Sequence, residues 1–230
     1  MKLEQMEHKK KSAGEKAAEY VEDGMVVGLG TGSTAYYLIK KLGARVADGL
    51  FIKAVMTSNA TEKLAGGLNI PLLSVDEVNG IDLMIDGVDE IDNNFNAIKG
   101  GGGALFREKL VARLARRIIW ILDDSKLVDT IGKFPLPVEI LQFGHTHTIK
   151  KLKKDGFNPQ LRTSDDGIYV TDNGNYIADL HLQQPVDIQS LDARLKSIVG
   201  VIETGLFLNK GERMIIGTDK KPREVVNKGK

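Results

Sequence analysis

The sequence predicts an α/β fold: a Rossmann-like parallel sheet with helices on both faces, plus a small α+β domain of the split β-α-β (ferredoxin/ACT-like) kind. Three observations carry this. Short apolar runs alternate with helical patterns from residue 3 to residue 123, the signature of repeated β-α units. Two of those runs or their following loops pass through glycines into a helix. Beyond Pro135 and Pro137 the pattern changes to β-α-β-β-α-β, ending near residue 204, which is a split β-α-β arrangement.

Residues 3–22 read as a helix with Ala17, Ala18 and Val21 toward a core. "MVVGLG" (25–30) suits a buried parallel strand, and residues 33–46 follow as a helix with Tyr37, Leu38 and Leu42 at helical spacing. A strand over 50–56 leads to a helix over 59–68, capped by Ser58-Asn59 and stopped by Gly66-Gly67. "IDLMID" (81–86) is a buried strand, 103–115 a helix and 117–123 a strand containing the core residue Trp120. In the second part, a strand (137–143), a helix (145–156), a strand near 158–163, a hairpin on "TDNGN" (171–175), a strand (176–182), a helix (186–200) with Asp187 as cap and a strand from 201 follow in order. A last strand over 213–218 and the basic tail return to the first domain. The domains are therefore expected at 1–133 with 205–230, and at 134–204 as an insertion.

Composition excludes several functions. The 230 residues carry a formal net charge of +1, so bulk electrostatics argue for neither a nucleic acid nor a membrane surface as partner. There is no cysteine, which removes disulfides, thiolate metal sites and cysteine nucleophiles. The first residues lack an apolar segment of signal-peptide length, and no run approaches the ~18 apolar residues of a membrane helix. A soluble cytoplasmic protein is expected. His145 and His147 have no nearby His or Cys to complete a metal site, and His8 and His181 are read as incidental.

"GLGTGST" (28–34) follows a strand and opens a helix. Backbone N–H groups at such a turn face an anion, and the helix end adds partial positive charge. The sixth position of a dinucleotide fingerprint is Ser33 instead of glycine, and Gly32 is not followed by the lysine of a P-loop. A monophosphate on a small molecule fits. The second loop, "KGGGGALFREK" (99–109), also opens a helix, and glycines this dense are unfavourable in a merely structural connector. "DGVDEID" (86–92) places Asp86 at the carboxyl end of a strand, where open α/β sheets bind ligands. All three loops follow strands.

In order, "GLGTGST", "DGVDEID", "KGGGGALFREK", "DDSKLVDTIGKFPLPVEI" (123–140) and "VTDNGNYIADL" (170–180) resemble the motifs of the type A ribose-5-phosphate isomerases, from about Lys10 to Thr218. The resemblance implies an enzyme of the non-oxidative pentose phosphate pathway that interconverts ribose 5-phosphate and ribulose 5-phosphate. It implies no metal and no organic cofactor, a pentose 5-phosphate as partner, and a homodimer or homotetramer, with the inserted domain expected to supply oligomer contacts. Position by position it implies a phosphate loop of Thr31, Gly32, Ser33 and Thr34, aided by Lys10. An acid loop of Asp86, Gly87, Val88 and Asp89 follows, then a lysine–glycine loop of Lys99, Gly100, Gly101 and Gly102. Glu108 is the implied base and Lys126 a further substrate contact. Val88 stands where alanine is common, and Gly103 adds a glycine to the usual three.

Isomerisation through an enediol(ate) needs a base, a group to polarise the carbonyl, and proton traffic between two oxygens. Glu108 suits the first, Lys99 with the following N–H groups the second, and Asp86 and Asp89 ring opening and hydroxyl protons. Glu90 and Asp92 are expected to serve the turn or its surroundings, not the chemistry. Two other classes use similar features. An acyl-CoA transferase employs a glutamate nucleophile near a glycine loop, but gives no reason for both "GLGTGST" and "DGVDE". A non-enzymatic sugar-phosphate sensor normally carries a helix-turn-helix module, for which the residues before the first strand are too few.

Overall fold

The computed structural model describes residues 2–182 and 187–229. In chain order it begins with α1 (Lys2–Ala18), β1 (Val26–Leu29), α2 (Ser33–Ala47), β2 (Lys53–Met56), α3 (Asn59–Gly66), β3 (Ile81–Gly87), β4 (Glu90–Ile91) and β5 (Ala97–Ile98). Helix α4 (Leu105–Leu114) runs directly into β6 (Ala115–Asp123), followed by β7 (Leu136–Ile140), α5 (His145–Lys154), β8 (Pro159–Leu161), β9 (Thr163–Ser164) and β10 (Gly167–Ile168). The chain closes with β11 (Tyr176–Leu180), α6 (Ile188–Lys196), β12 (Val201–Thr204), β13 (Leu206–Phe207), β14 (Arg213–Gly217) and β15 (Arg223–Val226).

The chain forms two compact units. The first comprises Met1–Val88, Arg107–Leu127 and Lys210–Lys230, the second Asp89–Phe106 and Val128–Asn209. The second thus takes in residues 89–106 as well as the expected insertion, because β5 pairs with β4 and with β13 in one small antiparallel sheet.

In the first unit, six strands lie in the order β15-β14-β6-β3-β1-β2. All neighbours are parallel except β14 and β15. Alternation along the strands sends Val27, Leu29, Leu83, Ile85, Ile119 and Ile121 to one face, where they join Ala13, Ala17, Leu38 and Leu42 from α1 and α2. On the other face Gly28 admits α4: a Cβ at that position lies only 2.7 Å from Val111 Cγ1. Helices cover both faces, as the apolar runs require. Trp120 is fully buried and its indole N–H donates to Lys210 O at 2.7 Å.

In the second unit, β12-β7-β11-β8 form an antiparallel sheet. One face packs Leu136, Val138, Ile140, Ala178 and Leu180 against Leu152 of α5 and Leu191 and Leu195 of α6. Alternation leaves Pro137, Glu139, Ile177 and Asp179 on the other face. This is the expected split β-α-β order.

Two local expectations change. The strand expected over 50–56 begins only at Lys53, because Phe51 is drawn into a turn: its N–H donates to Asp23 Oδ1 (2.7 Å) and its carbonyl accepts from Gly24 N–H (2.7 Å). "TDNGN" makes a turn, with Thr171 N–H donating to Asn175 O at 2.8 Å, but it joins no hairpin; β10 pairs with β9, and β11 with β7 and β8. Buried Glu139 accepts from Thr171, Asn173 and Asn175 at 2.9–3.2 Å, which holds the turn without flanking strand pairs. Asp187 caps α6 as expected, accepting from Gln189 and Ser190 N–H, while the expected helix start at Val186 lies outside the described residues.

Candidate active site

In the first unit the chain leaves β1 toward β2, then crosses back to place β3 on the other side. The order therefore reverses between β1 and β3, and the carboxyl ends of those strands are where open α/β sheets bind ligands. Thr31 follows β1 and Asp86 sits near the end of β3, with no exposed surface. The Thr31 N–H donates to Asp86 Oδ1 at 3.0 Å and the Gly87 N–H to the same oxygen at 2.7 Å. This contact dictates Gly30. A Cβ there would stand 2.0 Å from Asp86 Oδ1.

The Thr31 hydroxyl belongs to a cluster that the sequence reading did not foresee. It lies 2.7 Å from Thr57 Oγ1, 2.9 Å from Ser58 Oγ and 3.3 Å from Thr61 Oγ1. Thr61 also donates to Gly30 O and Thr57 to Leu29 O. The "TSNAT" segment thus braces the first glycine loop from the neighbouring strand end. Gly32, at φ 108°, precedes Ser33, and no side chain caps α2. Ser33 is exposed, whereas Thr34 is buried.

Glu108 lies in the first turn of α4 and is 4% exposed. Lys126 closes a short 3-10 turn after β6, and its ammonium donates to Val88 O at 2.8 Å. That contact makes it a brace of the acid loop. Lys10 donates to Glu7 Oε1 at 3.0 Å. The Tyr37 hydroxyl, first, and the Lys10 ammonium hold Glu7 below the usual carboxylate value. Lys10 is thereby linked to α2, the helix that the first glycine loop opens. Its neighbours have other partners: Lys9 pairs with Asp124 (2.9 Å) and Asp219 (3.3 Å), and Lys11 with Glu15 (3.9 Å).

In the second unit Asp89 accepts the Gly101 N–H at 2.7 Å. Lys99 is 2% exposed, with its ammonium 5.6 Å from the Phe207 ring centroid, a distance at which a ring face attracts a cation. Gly100 (φ 103°) and Gly103 (φ 84°) occupy the left-handed region, which accounts for glycine at both. The added Gly103 has a second reason: a Cβ there would meet the Tyr169 hydroxyl at 2.1 Å. Arg162 donates to Gly100 O (2.9 Å) and Gly101 O (3.1 Å), and Tyr169 to Gly102 O (3.3 Å). The sequence reading missed Arg162, Tyr169 and Asp179. Glu90 accepts from Gly132 and Phe134 N–H, and Asp92 from Asn94 and Asn96, so Asp92 holds the turn and Glu90 its surroundings, as expected.

The structure joins Thr31, Asp86 and Gly87 in one unit, Lys126 with Val88 in the same unit, and Asp89 with Gly101 in the other. Among the described residues no cluster of His, Cys, Asp and Glu could hold a metal, and no helix is long and apolar enough to cross a membrane.

Residues 53–221 match the family model described as ribose 5-phosphate isomerase A (phosphoriboisomerase A). Ribose-5-phosphate isomerase A of Streptococcus pneumoniae (strain Hungary19A-6) is 50% identical over 212 residues, covering 92% of this chain and 93% of that protein. The same-named protein of Bifidobacterium longum subsp. infantis is 49% identical over 223 residues, 96% of each chain. Among solved structures, ribose 5-phosphate isomerase from Plasmodium falciparum superposes with a TM-score of 0.93 at 38% identity, over 97% of this chain and 100% of that one. A D-ribose-5-phosphate isomerase in complex with phospho-erythronic acid gives 0.92 at 38% identity, over 96% and 99%.

Proposed function

The chain belongs to the ribose 5-phosphate isomerase A family, and on that premise we propose that it interconverts D-ribose 5-phosphate and D-ribulose 5-phosphate through an enediolate with Glu108 as the base. The observation that carries the base assignment is a carboxylate with 4% exposure in the first turn of the helix opened by the second glycine loop. A positioned base contributes about 10²–10⁴-fold.

Glu108 takes the proton from C2 of the open-chain aldose. The electron pair forms the C1–C2 double bond and O1 becomes an oxyanion. A proton passes from O2 to O1, the protonated Glu108 delivers its proton to C1, and C2 is left as the ketone. Lys99 and the N–H groups of the Gly100–Gly102 loop stabilise the oxyanion, where one donor is worth about 10²–10³ in rate. Asp86 and Asp89 serve ring opening and the hydroxyl protons. The N–H groups from Thr31 to Thr34 and the Ser33 hydroxyl take the phosphate, with Lys10 as counter-charge and Lys126 and Val88 shaping the acid loop.

A glutamate-nucleophile acyl-CoA transferase and a non-enzymatic sensor find no support in the relatives. The reading includes the absence of a metal or organic cofactor, a cytoplasmic location, and a homodimer or homotetramer, which light scattering of the purified protein distinguishes. The central test incubates purified protein with ribose 5-phosphate and EDTA and follows ketose formation. Ribulose 5-phosphate is expected, unaffected by EDTA; no ketose overturns the reading, and EDTA-sensitive turnover overturns its metal-free part.

A further inference from the structure

The face of the small sheet opposite α5 and α6 carries two family-like motifs that the reaction does not use directly, "FPLPVEI" and "VTDNGNYIADL". From the first, Pro137 lies under the glycine loop: a Cβ on Gly100 would be 3.2 Å from Pro137 Cβ. From the second, Asp179 holds Arg162 by a two-pronged ion pair, Nε to Oδ2 at 2.8 Å and Nη2 to Oδ1 at 2.5 Å. Arg162 is thereby fixed in direction, and its remaining terminal nitrogen donates to the carbonyls of both Gly100 and Gly101. Paired forks of this kind set geometry as well as energy.

A trans peptide points its N–H opposite its carbonyl. In the Gly100–Gly101 peptide, the carbonyl faces Arg162 and the N–H donates to Asp89. In the next peptide the carbonyl again faces Arg162, so the Gly102 N–H is turned away from the guanidinium. Gly102 is exposed, and among the described residues no group accepts its N–H. Tyr169 holds the carbonyl of Gly102 itself, and the Gly103 N–H closes back on Gly100 O at 2.9 Å. A backbone this rich in glycine has no side-chain packing to fix its direction, and Arg162 supplies that constraint.

We infer that Arg162, oriented by Asp179, is a positioning residue that aims the Gly102 N–H at the oxyanion of the enediolate. The inference rests on the isomerase reading. Arg162 touches no reacting atom; it determines which way a donor points. Loss of Arg162 therefore lowers the stabilisation of developing charge and leaves phosphate binding intact.

The test compares wild type with Arg162→Ala, Arg162→Lys and Asp179→Asn. For Arg162→Ala, kcat is expected to fall ten- to a hundredfold with KM for ribose 5-phosphate within threefold of wild type, and the inhibition constant of phospho-erythronic acid, whose carboxylate presents an oxyanion, to rise at least tenfold. Arg162→Lys, which keeps the charge but loses the planar fork that Asp179 grips, is expected between the two. An open cavity of about 410 Å³ lined by Gly101, Arg162, Thr163, Asp179 and His181 borders the guanidinium, so millimolar guanidinium is expected to restore part of kcat in Arg162→Ala and none in wild type. If Arg162→Ala does not fold, Asp179→Asn, which keeps the shape and withdraws the charge, is read instead, with a three- to tenfold loss in kcat. A folded variant with kcat within twofold of wild type, or one losing activity through KM alone, overturns the inference. An inactive wild type in the same assay marks failure of the isomerase reading instead.

Discussion

The backbone N–H of Thr31 donates to Oδ1 of Asp86 at 3.0 Å, so the loop that opens α2 and the acid that ends β3 are fixed to each other across the reversal point of the sheet. Gly30 makes the approach possible, since any Cβ there falls 2.0 Å from the same oxygen. Gly30→Ala is therefore expected to displace the carboxylate and to lose more than tenfold in kcat, with about 1–3 kcal/mol of stability, as overpacking does. Denaturant unfolding and steady-state kinetics check both; an alanine variant with wild-type kcat disproves the coupling.

Glu108→Gln keeps the shape of the side chain and removes the base. Its kcat is expected to fall by about 10²–10⁴-fold with KM little changed. Near-normal kcat sinks the base assignment.

Ser33 and Thr34 separate binding from stability. Ser33 is exposed at the start of α2, so Ser33→Ala is expected to raise KM about fivefold, the equivalent of ~1 kcal/mol for one lost hydrogen bond, with kcat kept. Thr34 is buried. Thr34→Ala is expected to lower the unfolding midpoint while KM stays within twofold, and a larger KM effect for Thr34 than for Ser33 reverses the assignment.

Gly103 is constrained twice, by φ 84° and by the Tyr169 hydroxyl 2.1 Å from its absent Cβ. The left-handed backbone alone disfavours alanine by about 1–2 kcal/mol. Gly103→Ala is expected to be more destabilising than that in the native background, and to return to it when Tyr169→Ala is also present. A double-mutant cycle measures the difference; additive effects exclude the steric contact.

Glu224 accepts from the Tyr20 hydroxyl at 2.5 Å and pairs with Arg213 at 2.6 Å. The tyrosine, then the arginine, hold its carboxyl below the usual glutamate value. A depressed folded-state value means stability that is complete above the unfolded value, near 4.5, and lost as pH falls through the lowered folded value. Glu224→Gln is expected to be less stable than wild type by about 1 kcal/mol at pH 7. That gap should close as acid protonates the native carboxylate, and a gap that widens in acid contradicts the assignment. Urea unfolding across pH 3–7, about the range in which a perturbed glutamate titrates, measures it.

Glycine punctuation and strand alternation made the sheet, the first loop and Asp86 legible in the sequence, because both signals are local. Asp187 and Ser58 were legible as caps for the same reason, and Glu90 and Asp92 as acids of the turn or its surroundings. Arg162 was not, since it meets Gly100 at a separation of 62 residues and nothing in its own neighbourhood advertises that contact. Thr57, Ser58 and Thr61 meet Thr31 only once β2 lies beside β1. Asn173-Gly174 signalled a hairpin, but only its turn forms, held by Glu139, a residue 34 positions before Asn173.

Glu139 also guards the alignment of the small sheet. In the native pairing it stands opposite Ile177, and Pro137 opposite Asp179. A two-residue slip that kept every side chain on its proper face would set Glu139 directly against either Asp179 or Asn175. The first alternative brings two carboxylates together and pulls Asp179 from Arg162; the second draws the asparagine turn out of shape. Apolar alternation alone penalises only odd slips. A buried acid with dedicated donors penalises the even ones as well, so misaligned strands meet an electrostatic obstacle before the glycine loop is ever seated.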